Sequence, residues 1–167
     1  MLGLLLLYVG AVLILNGIWL LGRIDDREIV LINLVVAGIS LLVAAHSAVL
    51  AVDVTGVRAA AMTLLFAITY LWIAYNRLRA CDGRGLGWFS LFVAITVLPV
   101  AVTDLLAAQS AMDLVLAVSW VAWAALWFLY FLLLVPRQPI QRLTAIATLL
   151  VGITTGWLPG LALLFGA

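Results

Sequence analysis

The stretch LGLLLLYVGAVLILNGIWLL, residues 2–21, contains twenty residues and no charged side chain. An α-helix rises about 1.5 Å per residue, so twenty residues cover the roughly 30 Å hydrocarbon core of a bilayer. This stretch therefore predicts a transmembrane helix. Five more apolar runs follow it, separated by short breaks: residues 29–52, 59–78, 88–107, 114–135 and 143–165. Membrane strands would alternate polar and apolar residues over about ten positions, which these runs do not do.

The composition agrees with a chain that lies mostly in the membrane. Hydrophobic residues make up 68% of the 167 residues and charged residues 9%, against about 45–50% and 25% in soluble domains. We predict an all-α, polytopic membrane protein with six transmembrane helices in one compact bundle, a single domain over residues 1–167. A net charge of +1 offers no basic surface for nucleic acid. One cysteine and one histidine offer no metal-ligand pattern, and no cofactor is expected.

The arginines predict the orientation of the bundle. The sequence has eight arginines and no lysine, and only Arg58 lies in an even-numbered break between the apolar runs. The other seven lie at odd-numbered breaks: Arg23, Arg27, Arg77, Arg79, Arg84, Arg137 and Arg142. Short loops rich in arginine stay in the cytoplasm. We therefore expect odd-numbered loops inside the cell and both termini outside.

The centres of the six runs carry no Asp, Glu, Lys or Arg. A charge inside the membrane costs at least about 2.5–3.5 kcal/mol and usually marks an ion path or a proton relay. Hydrolysis would need a nucleophile with a base, or metal ligands. The sequence therefore argues against an enzyme and against ion-coupled transport. The single histidine, His46, falls near the end of the second run, and we interpret it as a packing or interfacial residue.

Two stripes follow the helical period in the first run. Apolar residues and one amide, spaced by four and three, share a face: Leu2, Leu6, Val9, Leu13 and Asn16. Small residues recur every seven positions beside it: Gly3, Gly10 and Gly17. Glycines at such spacing allow another helix to approach closely. The apolar face is compatible with the wall of a solute path, or with ordinary packing in which Asn16 bonds to a neighbouring helix.

Tryptophans form a stripe in the fifth run. Trp120, Trp123 and Trp127 are spaced by three and four, and Trp127 lies roughly two-thirds of the way across the membrane. An interfacial belt explains Trp127 poorly. The stripe is compatible with a flat-walled slot that presents indole N–H donors, or with aromatic packing. In the last run, Gly152, Gly156 and Gly160 predict close helix packing. Pro99 and Pro159 predict interruptions of their helices.

Five segments, in order along the chain, together resemble the urea/amide channel family of the AmiS/UreI type. They are MLGLLLLYVGAVLILNGI (1–18), TYLWIAYN (69–76), WFSLFVAI (88–95), WVAWAALW (120–127) and GITTGWLPG (152–160). The resemblance implies six helices per protomer, both termini outside, and a homo-hexamer with one pore in each protomer. It also implies a bacterial cytoplasmic membrane, passive passage of urea or short aliphatic amides, and a functional link to a cytoplasmic urease or amidase.

The resemblance also assigns pore-lining positions. In the first and fifth runs these are the two stripes above: Leu2, Leu6, Val9, Leu13, Asn16, Trp120, Trp123 and Trp127. In the third run they are Ile68 and Trp72. Val151 stands where a pore glutamate lies in the family, and the long outer loops with histidines are missing, so acid gating is not expected. Two alternatives stay open: an ion-coupled carrier of small solutes and a non-conducting structural subunit.

Overall fold

The computed structural model describes residues 1–166, and Ala167 lies outside the described residues. Within residues 1–166 the chain is helical, has no strand, and contains six helical stretches long and apolar enough to cross a membrane. Their bounds are α1 Leu2–Leu20, α2 Glu28–Val49, α3 Val54–Leu78, α4 Arg84–Thr96 with α5 Leu98–Ala107, α6 Ala111–Leu134, and α7 Gln141–Val151 with α8 Leu158–Phe165. The prediction of an all-α, six-span membrane protein is confirmed.

Both predicted proline interruptions occur. The fourth span divides into α4 and α5 at Val97, and Pro99 occupies the first turn of α5. The sixth span divides into α7 and α8, which are joined by the π-helical segment Gly152–Trp157, and Pro159 occupies the first turn of α8. Proline has no N–H to continue the hydrogen-bond ladder, so a helix that contains it restarts or bends at that point.

Polar caps explain why α3 and α6 begin before their apolar runs. α3 starts at Val54 because the Asp53 carboxylate accepts the N–H of Gly56 at 2.9 Å and caps the helix. Arg58, expected in a break, therefore lies within α3. α6 starts after a capping box in which Ser110 and Asp113 exchange hydrogen bonds of 3.1 and 3.0 Å. Polar caps extend these helices beyond the residues that hydropathy selects.

The glycine stripes join the first span to the last. A Cβ on Gly156 would lie 2.5 Å from the Gly10 Cα, and a Cβ on Gly160 would lie 2.6 Å from the Leu7 backbone nitrogen. A Cβ on Gly17 would lie 2.6 Å from the Leu149 side chain. The predicted close packing of both stripes is confirmed. Because α1 uses its glycine face for α7 and α8, its leucine face is left to line the interior.

The helices alternate in direction. The bundle end that holds Leu2 and Arg58 is called the Arg58 end, and the opposite end, which holds Trp19 and Arg77, is called the Arg77 end. α1, α3 and α6 all run from the Arg58 end to the Arg77 end. α2 packs on α3, α4 on α6, and α1 on α7 and α8. This arrangement leaves room between α1, α3 and α6 along their whole length.

Candidate functional site

Four cavities follow one another through the bundle. The Arg58-end cavity has a volume of about 180 Å³, the central cavity about 30 Å³, the neck cavity about 40 Å³ and the Arg77-end cavity about 660 Å³. A single water needs roughly 10–15 Å³ by the same measure. The two inner cavities therefore have room for two or three water-sized groups each, and the end cavities are wider.

The four cavities lie in a line, because successive positions along α3 border successive cavities. Arg58 lines the Arg58-end cavity, Phe66 borders both that cavity and the central one, Ile73 borders the central and neck cavities, and Arg77 borders the neck and Arg77-end cavities. α6 shows the same order, from Trp120 at the Arg58 end through Trp127 and Tyr130 to Leu134. Neighbouring cavities thus share wall residues and form one row.

The two predicted stripes face this row. Five of their residues line the Arg58-end cavity: Leu2, Leu6, Val9, Trp120 and Trp123. Four line the central cavity: Leu13, Asn16, Trp123 and Trp127. Arg58 and Asp104 lie at the wall of the Arg58-end cavity and form an ion pair of 3.3 Å. The leucine face and the indole face therefore border one interior space from α1 and α6.

Aromatic rings form the wall between the Arg58-end and central cavities. Phe66 and Trp123 border both cavities, and their ring centroids lie 4.9 Å apart with the planes at 82°. The Phe66 centroid also lies 5.0 Å from that of Trp127. Rings at such distances are in van der Waals contact in an edge-to-face arrangement. These rings therefore separate the two cavities at Phe66, a residue that neither the periodicity nor the resemblance identified.

The third helix differs from the sequence-based expectation. Ile68 is 38% exposed on the outside of the bundle, and Trp72 packs half-buried beside Gly85, so neither lines any of the four cavities. Phe66 and Tyr70, each two residues earlier, line the central cavity instead. Each residue turns an α-helix by about 100°, so an offset of two residues places a side chain on the opposite face. The predicted spacing of four residues is correct, but the cavity-lining positions begin at Phe66 and not at Ile68.

Val151, the remaining predicted position, also lies away from the four cavities. It is the last residue of α7, and its carbonyl oxygen accepts a hydrogen bond of 2.6 Å from the Thr155 hydroxyl. The sixth span lines the Arg77-end cavity through Gln141, and it supports the inner cavities indirectly, because Thr155 in the π-helical segment contacts Trp123. No residue of the sixth span lines the central or neck cavity.

Two of the three indole N–H groups in the α6 stripe, those of Trp123 and Trp127, are hydrogen-bonded within the protein. Trp123 Nε1 donates to the Thr155 hydroxyl at 2.8 Å, and Trp127 Nε1 donates to the Thr69 hydroxyl at 3.3 Å. The expectation that both indoles present free donors to a solute is therefore wrong for the arrangement seen here. Buried N–H groups almost always find a partner, and threonines on adjacent helices supply one. The tryptophans offer ring faces and edges to the cavities, and their N–H groups fix their orientation.

Asn16 fits both interpretations of its position, because it bonds to a neighbouring helix and also lines a cavity. Its carboxamide pairs with that of Asn33 in α2 through two reciprocal hydrogen bonds of 3.1 and 2.8 Å, and it also lines the central cavity. Each carboxamide nitrogen has two N–H donors. Asn33 uses its second donor on the Ile29 carbonyl at 2.9 Å. The pair therefore holds Asn16 in place and leaves one of its donors unused by Asn33.

The central cavity has no charged wall residue. Its lining consists of Leu13, Asn16, Phe66, Thr69, Tyr70, Ile73, Leu86, Ser90, Trp123, Leu126, Trp127 and Tyr130. The polar groups in this set are hydroxyls, one carboxamide and two indole N–H groups. Such groups can exchange hydrogen bonds with a neutral polar molecule, but they cannot offset the lost hydration of an ion.

Charged side chains line the cavities at the Arg77 end of the bundle. The Arg77 guanidinium lies 5.3 Å from the centre of the Trp19 ring and 3.3 Å from the Asp26 carboxylate, and Trp19 Nε1 donates to Asp26 at 2.7 Å. Trp19 and Arg77 line both the neck cavity and the Arg77-end cavity. Asn76 lies beside them at the neck cavity and is 3% exposed. The sequence analysis missed these positions as site residues.

The fold and the site together define a multi-pass membrane protein whose bundle encloses a row of cavities with an uncharged centre. The family profile described as AmiS/UreI family transporter matches residues 1–167. The chain belongs to the AmiS/UreI family.

Individual relatives agree with this assignment. The chain is 39% identical over 163 residues to the putative transporter protein AmiS2 of Rhodococcus erythropolis, a match that covers 96% of this chain and 78% of that one. It is 33% identical over 185 aligned positions to the acid-activated urea channel of Helicobacter pylori, covering 95% of each. The crystal structure of the urea channel from H. pylori superposes with a TM-score of 0.86 and 34% identity, covering 99% of this chain and 98% of that one.

Proposed function

We propose that this protein is a passive channel for urea or short aliphatic amides, and that the solute moves through the row of four cavities inside each protomer. The observation that carries the proposal is the central cavity, whose wall has hydroxyls, a carboxamide and aromatic rings but no charged side chain. Urea and small amides are neutral and flat, and they exchange hydrogen bonds with such groups. An ion in the same cavity would lose its hydration without an opposite charge, which costs several kcal/mol.

The walls are suited to conduction rather than tight binding. A channel needs contacts that are favourable enough for a solute to come in and weak enough for it to leave. Polar groups of the cavity wall form hydrogen bonds with other side chains of the protein, as in the Trp123–Thr155 pair at 2.8 Å, so few donors remain for a solute. The Phe66 and Trp123 rings touch between two cavities, so a solute passes when these rings move apart. We expect this step to select for thin, flat molecules.

We also propose that conduction is not acid-gated, unlike that of the H. pylori relative, whose name describes it as acid-activated. The connections at the Arg58 end comprise residues 50–53 and 108–110, and they contain no histidine. His46 is exposed on α2 and lines none of the four cavities. His46, in the last turn of α2, is thus the histidine of the Arg58 end, and none of the four cavities has in its wall the side chain that most often changes charge between about pH 5 and pH 7.

We also propose the orientation of the channel, its oligomeric state and the membrane in which it lies. Seven of the eight arginines lie at the Arg77 end, which supports a cytoplasmic Arg77 end and external termini. The family resemblance supports a homo-hexamer in a bacterial plasma membrane, beside a cytoplasmic urease or amidase. Blue-native electrophoresis and labelling of a terminal cysteine from either side of intact cells measure the oligomer size and the orientation.

Flux into reconstituted vesicles tests the proposed function. Stopped-flow light scattering measures the permeability of urea, acetamide and glycerol, with and without a proton or sodium gradient, near neutral pH and near pH 5. We expect urea and acetamide to pass independently of either gradient, with rates that change less than about twofold over the pH range in which histidine titrates. Gradient-driven uptake would indicate a carrier, acceleration in acid would indicate gating, and no flux above empty vesicles would indicate a structural subunit.

A further inference from the structure

The neck cavity contains a polar side chain for which the protein supplies no partner. Asn76 is 3% exposed, and its carboxamide borders this cavity of about 40 Å³. No side-chain hydrogen bond within residues 1–166 involves that carboxamide, and its atoms are not fully enclosed by protein, so the carboxamide is open to the cavity. Buried polar side chains are nearly always hydrogen-bonded, and a carboxamide has two donors and an acceptor to satisfy. An unpartnered group of this kind, at a cavity in the proposed path, points to a ligand.

The chemistry of the ligand can be deduced from another pair in the same protein. Asn16 and Asn33 bind each other edge to edge, each donating an N–H to the other's carbonyl oxygen, at 3.1 and 2.8 Å. Urea and primary amides carry the same donor–acceptor edge as an asparagine side chain. Asn76 presents this edge with no second asparagine opposite it. A primary amide in the neck cavity can form the same reciprocal pair.

The rest of the neck cavity fits a small amide. The cavity has room for roughly three water-sized groups, close to the four heavy atoms of urea. Apolar side chains provide much of the wall, among them Leu20, Ile73, Leu86, Leu133 and Leu134. Arg77 borders the same cavity and meets Asp26 through a single 3.3 Å contact, so other guanidinium N–H groups remain for a carbonyl oxygen.

We propose that Asn76 is a specificity-determining residue that binds the primary-amide edge of urea or a short aliphatic amide in the neck cavity. The site rests on the proposed function, because it lies on the same path, between the central cavity and the Arg77 end. Glycerol has no planar amide edge, so two of its flexible hydroxyls must be held in one arrangement before they can bond to Asn76 in the same way. Asn76 therefore favours amides over polyols of similar size.

Substitution of Asn76 separates amide recognition from general permeability. Asn76→Leu keeps the number and branching of the side-chain heavy atoms and removes the donor and the acceptor of the carboxamide. We expect urea and acetamide permeability to fall about tenfold while glycerol permeability changes less than about twofold. Asn76→Ser is a smaller change that keeps a polar group, and it should also lower the ratio of urea to glycerol. Ser40→Ala is the matched control, because Ser40 is buried in α2 with an unpartnered hydroxyl and lines none of the four cavities.

The outcomes distinguish this site from the proposed function. If the wild-type protein passes neither urea nor acetamide, the proposed function fails and the Asn76 site fails with it. If the wild type conducts amides and both Asn76 variants keep its urea-to-glycerol ratio, the channel stands and the Asn76 site is overturned. An equal loss for all three solutes also overturns the site, because that result indicates a structural role. A selective loss of urea and acetamide, with Ser40→Ala unchanged, supports the site.

Discussion

Replacement of Thr155 by valine tests how the channel holds Trp123 in place. Thr155 is 6% exposed, and its hydroxyl accepts the Trp123 indole N–H at 2.8 Å while donating to the Val151 carbonyl at 2.6 Å. Valine has nearly the same shape as threonine and no hydroxyl. The substitution therefore leaves the indole N–H without its acceptor and changes little else in the packing.

The adjacent Thr154 provides an unusually close control. Its hydroxyl also donates to the carbonyl four residues earlier, at 2.8 Å, but the side chain is exposed and forms no hydrogen bond with an indole. Leaving a buried donor unsatisfied costs about 1–3 kcal/mol, whereas hydrogen bonds between membrane helices average about 0.6 kcal/mol with a maximum near 1.7. We expect Thr155→Val to lower the free energy of unfolding by about 1–2 kcal/mol more than Thr154→Val does.

Equilibrium unfolding in mixed micelles, followed by circular dichroism, measures this difference. Tryptophan fluorescence and the permeability ratio of acetamide to urea are recorded on the same samples. We expect Thr155→Val to loosen the ring at the Phe66–Trp123 contact and raise the acetamide-to-urea ratio, with Thr154→Val like the wild type. Equal unfolding free energies and equal ratios for the two variants would refute the view that Thr155 positions Trp123.

Three further predictions concern packing, the aromatic wall and acid stability. Gly156→Ala places a Cβ 2.5 Å from a backbone carbon of α1 and should lower the free energy of unfolding by about 1–3 kcal/mol. Gly38→Ala is its control: a Cβ there meets nothing within 4 Å, so the free energy of unfolding in the same micelle assay should stay the same or rise. Trp123→Ala removes one ring of the wall, so amide flux or selectivity should change in vesicles while the oligomer persists in blue-native gels; unchanged flux of every solute would remove Trp123 from the path. The Arg84 backbone N–H and then its guanidinium lower the pKa of Asp82 by hydrogen bonding. The stability from this pair is therefore present above the usual aspartate pKa of about 3.9 and is lost as the pH falls through the lower folded-state value, so the thermal midpoints of wild type and Asp82→Asn should converge in acid.

Much of the architecture could be predicted because the bilayer imposes it. A fixed hydrocarbon thickness requires about twenty apolar residues per helix, and the runs in this sequence show that length directly. The glycine stripes were also readable, since only small residues allow two helix backbones to approach as Gly10 and Gly156 do. Helix starts were predicted less well, because the caps at Asp53 and Ser110 are polar and lie outside the apolar runs.

Periodicity identified the faces of α1 and α6 that line the site, and the family resemblance assigned these faces to the pore. The leucine row and the tryptophan row each repeat at three and four residues, and both line the cavities. The α3 wall could not be predicted in this way. α3 carries aromatic residues on several faces, among them Phe66, Tyr70 and Trp72. Only the packing of α3 against α2 decides that the first two point inward and the third does not.

The apolar runs and their periodicity are enough to predict the number of spans, the uncharged centre of each span and the faces of α1 and α6. Contacts within the folded bundle set the rotation of α3, the Asn16–Asn33 pair, the contact of Trp123 with Thr155 and the lack of a side-chain partner for Asn76. The physical reason is that lipid is as apolar as the interior of a helical bundle, so hydrophobicity does not distinguish an inward face from an outward one. Contacts between side chains distant in sequence make that distinction, and they exist only in the assembled bundle.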